Sequence, residues 1–104
     1  MEYSVVMTSD AEEDLEGFIR YLLYEKRSPQ AASNVLNDFE ETKKRLSKRA
    51  DSVKLCDHPK LHALGYRKMR FSKHRYFLMY RIEGERVVVD RVFHELQDYE
   101  NHMR

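Results

Sequence analysis

The chain has 104 residues, 36% of them charged and 41% apolar, with a net charge of +1, three glycines and two prolines. That length predicts a single domain over residues 1–104 burying roughly 60–70% of its unfolded surface, and that composition excludes disordered and low-complexity chains. No apolar run reaches the ~18–20 residues of a membrane span, the first residues lack a signal-peptide pattern, and the single Cys56 cannot form an internal disulfide, so a cytoplasmic protein with no membrane association is expected.

Tyr3–Met7 (YSVVM) is short, apolar and β-branched, which predicts a first strand buried on both faces. Ser9 followed by Glu12 forms a capping-box pattern, so a helix is expected to begin at Asp10. Ala11, Leu15, Phe18, Ile19, Leu22 and Leu23 recur at spacings of three and four, carrying that helix to about Glu25. The acids Asp10 and Glu12 to Asp14 suit the positive end of its dipole and receive no binding role. Ser28 and Pro29 then start a second helix, cap followed by proline, with Ala32, Val35, Leu36, Phe39 and Leu46 as its apolar stripe. A connection this short makes the two helices a hairpin. Lys43 and Lys44 open a basic run to Arg49 that complements the negative helix end and also offers an approach surface for nucleic acid. Asp51–Gly65 shows no period and reads as a loop pinned by Leu55, Leu61 and Leu64.

From Tyr66 the period becomes two. Met69 and Phe71 are expected to face the helices, leaving Lys68 and Arg70 to point away. Ser72 to His74 make a turn, Arg75–Glu83 (RYFLMYRIE) a central strand, and Val87–Phe93 a last strand after the Glu83–Glu85 connection. Strict alternation places Val87, Val89, Arg91 and Phe93 on one face of that strand and Val88, Asp90, Val92 and His94 on the other, so Asp90 or Arg91 needs a partner whichever face is buried. Leu96, Tyr99 and Met103 predict a short helical turn over the sheet edge. The fold class is therefore α+β: an N-terminal strand, a helical hairpin, then a three-stranded antiparallel meander with helices on one sheet face and a C-terminal helical turn.

Arg67, Lys68, Arg70, Lys73 and Arg75 crowd the start of the meander without an acid among them, a surface suited to an anionic partner such as nucleic acid. Metal-free RNA cleavage needs a base, an acid and cations for the phosphorane charge. Lys68, Arg70, Arg75 and Arg81 are the candidate cations, and His94 or Tyr99 the candidate proton carrier. A solvated basic sheet face with a histidine at a strand end accounts for the same residues. The five histidines show no ligand spacing, and Pro59 argues against a helix joining His58 to His62, so neither a metal nor another cofactor is expected.

The order of elements, with AEEDLEGFIRYL, SPQAASNV and GYRKMRFSKHRYFLMYRIEGERVVVDRVFHELQDYE, resembles the RelE/ParE superfamily of bacterial toxins across nearly the whole chain. The resemblance implies a growth-inhibiting toxin held inactive by a cognate antitoxin. The favoured target is the ribosome and mRNA, cut by a RelE-like endonuclease, because the cationic strand with His94 and Tyr99 retains groups able to do the chemistry; the alternatives are DNA gyrase, poisoned by a ParE-like non-nuclease, and a degenerate member that only binds its antitoxin. Lys68 and Arg70 match the lysines of the first RelE meander strand, and Arg81 the arginine after the strand tyrosine, here Tyr80. Phe77 departs from that pattern, standing where RelE-type nucleases carry an arginine, and Gln97 replaces a second arginine. His94 and Tyr99 lie near the terminal histidine or tyrosine of relatives, and the RVFHELQDYE ending looks closer to ParE-like members.

Overall fold

A computed structural model describes residues 2–103; the ends of the expected domain, Met1 and Arg104, lie outside the described residues. The elements follow in order as β1 (Ser4–Met7), α1 (Ser9–Arg20) running into a π-helical turn (Tyr21–Glu25), α2 (Pro29–Arg49), α3 (Pro59–Ala63), β2 (Arg67–Arg70), β3 (Tyr76–Glu83), β4 (Arg86–His94) and α4 (Tyr99–His102). The four strands form one mixed sheet in the order β1-β4-β3-β2, the meander antiparallel and β1 parallel to β4. The architecture is the expected α+β one.

The helical hairpin covers one sheet face. Ala11, Val35, Phe39 and Leu46 from the helices pack there against Met69, Leu78, Tyr80, Val87, Val89 and Val92. Tyr80, fully buried, donates its hydroxyl to the Ala50 carbonyl at 2.8 Å, which satisfies the one polar atom this large side chain takes into the core. Burial pushes its phenol well above the ordinary tyrosine range.

β1 is an edge strand, and that corrects the expectation of burial on both faces. Tyr3, Val5 and Met7 meet the core while Ser4 and Val6 are exposed, because the edge strand is covered on its helix side alone. The cap of α1 is Thr8, one residue before the expected Ser9. Thr8 is still extended, its N–H bonded to the Val89 carbonyl, and its hydroxyl accepts the Ala11 N–H at 3.1 Å. Ser28 and Pro29 start α2 as read, with Ser28 accepting from Ala31 at 3.1 Å. Leu36, placed on the apolar stripe, is 40% exposed.

The second sheet face is not bare. The segment read as a loop contains α3, which begins at Pro59, the N1 position where a missing N–H costs nothing. Leu61 from α3 and Met103 after α4 close a second apolar cluster over Cys56, Phe77, Met79 and Phe93, with Tyr66 and Tyr99 at its margin. Tyr99 therefore lies over the sheet face instead of its edge, and Leu96, 83% exposed, takes no part. Leu64, read as a further pin, is likewise exposed and belongs to neither apolar cluster of the described residues.

A bulge corrects the face assignment of β4. Met79 pairs with Arg91 but Tyr80 pairs with Val89, leaving Asp90 as the extra residue. Alternation restarts there, so Val92 joins the helix-side core with Val87 and Val89 while Phe93 goes to the second cluster. Both charges at the bulge find partners. Arg91 grips Asp14 of α1 through two bonds of 2.7 and 3.0 Å, and Asp14 also accepts the Val92 N–H at 2.9 Å. Asp90 takes the Arg81 guanidinium at 2.6 Å.

Candidate functional site

The meander sets three of the candidate cations, Lys68, Arg70 and Arg81, on the second sheet face, where each is engaged by a neighbouring side chain. Lys68, pointing away from the hairpin as expected, lays its ammonium over the rings of Tyr99 and Phe77, at 4.7 and 5.1 Å from their centroids, and 3.4 Å from the Tyr99 hydroxyl. A lysine held this way is a cation screened by two π faces and a phenol, partly desolvated but not released. Arg70 lies 3.6 Å from Glu95. Arg81 bonds Asp90 and, at 2.6 Å, Glu83, and its guanidinium sits 5.7 Å from the Tyr66 ring centre. The bond to Asp90 holds the Arg81 proton more tightly than usual, outweighing the cost of burial.

The other candidates are dispersed. Arg75 and Lys73 are exposed at the β2–β3 turn, where, among the described residues, neither side chain has a hydrogen bond or ion pair. Arg67 projects to the helix side and spends its guanidinium on the backbone carbonyls of Asp51 and Val53. Lys43 and Lys44 stand on α2, each 3.9 Å from an acid three residues earlier, Glu40 and Glu41. His94 is on the hairpin side of the sheet. Its ring stands edge-on to Tyr76 at 5.2 Å, its Nδ1 accepts the Leu96 N–H at 3.1 Å, and Gln97 accepts its backbone N–H at 2.8 Å. The two candidate proton carriers therefore lie on opposite faces, Tyr99 beside Lys68 and His94 apart from every candidate cation of the second face.

Phe77 occupies the middle of this surface. It is 2% exposed, with Phe93 at 5.7 Å and Tyr99 edge-on at 5.3 Å. An aromatic ring so enclosed supplies packing, not charge. Beside it, Cys56 lies buried with its sulfur 3.8 Å from that of Met79. Desolvation raises its thiol despite nearby Lys68, which leaves it a structural residue.

The sequence reading missed Asp38. Its side chain, 1% exposed, accepts the N–H groups of Ser72 at 3.1 Å and Lys73 at 2.9 Å and meets His74 Nδ1 at 2.7 Å. Burial alone would raise this carboxyl, but His74 and the two N–H donors outweigh it and hold it below the usual carboxylate range. From α2 it thus fixes the turn that carries Lys73 and Arg75. The signal was present: Asp38 falls on the buried stripe with Val35, Phe39, Thr42 and Leu46, and a carboxylate there demands partners. Among the described residues no three His, Cys, Asp or Glu side chains are grouped to hold a metal ion, and no helix is long and apolar enough to cross a membrane.

Residues 5–99 match the family described as ParE toxin of type II toxin-antitoxin system, parDE. The chain belongs to the ParE toxin family. As a member it is a toxin of a type II toxin–antitoxin system within the RelE/ParE superfamily. A chain of the chromosomal ParDE system from P. aeruginosa shares its fold, with TM-score 0.69 and 20% identity, over 89% of this chain and 96% of that one. A chain of the RelBE2 toxin–antitoxin complex from Mycobacterium tuberculosis superposes with TM-score 0.58 at 27% identity, over 90% of the ParE-family chain and 99% of its own. No curated protein matches the sequence.

Proposed function

We propose that this ParE-family toxin arrests growth by binding DNA gyrase, not by cutting RNA, and that a cognate antitoxin protein neutralises it. The observation that carries the reading is Phe77, buried between Phe93 and Tyr99 at the position where the RelE resemblance calls for an arginine. A phosphorane needs unsatisfied cations around it and an acid and a base within reach of the same phosphate. Here Arg81 is committed to Asp90 and Glu83, and Tyr99 and His94 face away from each other. The match to the ParE family supports the same choice, and the origin of both solved relatives in toxin–antitoxin systems supports the antitoxin.

A ribosome-dependent mRNA endonuclease is the second reading, favoured by the Lys68 ammonium 3.4 Å from the Tyr99 hydroxyl. One experiment separates the two. Toxin induced without antitoxin is followed by mapping of mRNA ends, while purified toxin is added to gyrase and relaxed plasmid. The gyrase reading expects intact mRNA and blocked supercoiling. Codon-phased cuts with unimpaired supercoiling would establish the nuclease instead.

A further inference from the structure

A cleft of about 560 Å³ opens between α1 and the ends of β3 and β4, on the hairpin side and apart from Lys68 and Phe77. That volume falls within the range of side-chain and small-ligand sites. Phe18 and Tyr76, ring centres 4.8 Å apart, form its aromatic wall, and Tyr21, half exposed, stands at the lip on the first residue of the π-helical turn. Such turns are rare and concentrate at functional sites.

Two features of the cleft have no explanation inside the fold. Gly17 lines it from the body of α1, where glycine weakens a helix relative to alanine, yet a Cβ built there would meet nothing within 4 Å. No packing contact requires the glycine. What it preserves is open space. Glu13 lines the cleft one turn earlier, and among the described residues its carboxylate has no hydrogen bond or ion pair. It lies beyond the first helical turn, where the dipole no longer accounts for an acid. Its neighbour Asp14, by contrast, is fully used by Arg91 and Val92.

We propose that this cleft binds an arginine side chain of a partner polypeptide, the guanidinium stacking on Tyr21 and pairing with Glu13. A planar cation is the group suited to each, since it stacks on a tyrosine face and forks onto a carboxylate. The Tyr21 face already draws the Lys26 ammonium to 5.8 Å, a flexible point charge that a guanidinium displaces. The far wall supplies donors for backbone carbonyls. His94 Nδ1 accepts from Leu96, leaving Nε2 to donate, and Gln97 accepts through Oε1, leaving its amide N–H groups.

The test uses the full chain, ¹⁵N-labelled, titrated with acetyl-Gly-Arg-Gly-amide and with its citrulline counterpart, which keeps the shape but not the charge. The arginine peptide is expected to give saturable shifts at Gly17, Tyr21 and Gln97 with a dissociation constant of about 1–10 mM, and the citrulline peptide to bind at least about tenfold more weakly. Glu13→Gln should weaken arginine binding about fivefold. Gly17→Ala should weaken it too while raising the melting temperature by about 2–8 °C, a loss of binding that cannot be ascribed to a damaged fold. Equal binding of the two peptides, non-saturating shifts, or unchanged affinity in both variants would overturn the assignment. The readout does not depend on which target the toxin inhibits.

Discussion

Asp38→Ala removes a carboxylate, 1% exposed, that accepts two consecutive backbone N–H groups and meets His74 at 2.7 Å. Hydrogen bonds to a charged group are worth ~1.5–3 kcal/mol each. Ser72 and Lys73 are exposed, so water recovers part of what their N–H groups lose, and relief of the buried charge recovers more. A net loss of about 3 kcal/mol remains, equivalent to roughly 12–24 °C in melting temperature for a domain of this size. The pH dependence has a definite sign. Because the folded carboxyl is held below its unfolded value, its contribution is complete above about pH 3.9 and fades as the pH falls below that, through the folded value. Urea unfolding of wild type and variant, at neutral pH and at about pH 2.5, checks both statements. A neutral-pH difference below about 1 kcal/mol, or one that persists undiminished in acid, would refute the reasoning.

Tyr99→Phe keeps the ring against Phe77 and Phe93 and removes a hydroxyl that, among the described residues, meets only the Lys68 ammonium, at 3.4 Å; stability should change by less than about 1 kcal/mol, and growth arrest on induction should persist. Phe77→Ala opens a cavity in the second cluster and should cost about 3–5 kcal/mol in chemical denaturation. Arg81→Ala leaves Asp90 partly enclosed without its guanidinium, and a loss of about 2–3 kcal/mol by the same measurement is expected, with Asp90→Asn in the Arg81→Ala background recovering part of it.

Local patterns in the sequence carried most of the architecture. Stripes at three and four specified the hairpin, Ser28 and Pro29 its second start, and alternation from Tyr66 the meander, since each follows from neighbours along the chain. What escaped depended on partners distant in sequence. Nothing near Asp90 announces a bulge, and that single extra residue sends Phe93 to one core and Val92 to the other. The Asp14 carboxylate, attributed to a helix dipole, is held by Arg91 across the fold. The candidate cations were legible as residue types, but their state was not. Whether Lys68, Arg70 and Arg81 stand ready for an anion is decided by Tyr99, Glu95 and Asp90; the strand pattern marks Asp90 as needing a partner but reveals none of the three pairings.

Inhibition without RNA cleavage is the central claim, and it is tested most directly by adding the purified toxin to DNA gyrase with relaxed plasmid and ATP, with and without prior incubation with its antitoxin. The account predicts that toxin alone stops supercoiling and that antitoxin restores it. Full supercoiling at toxin in large molar excess, with mRNA cut in cells expressing the same toxin, would contradict it.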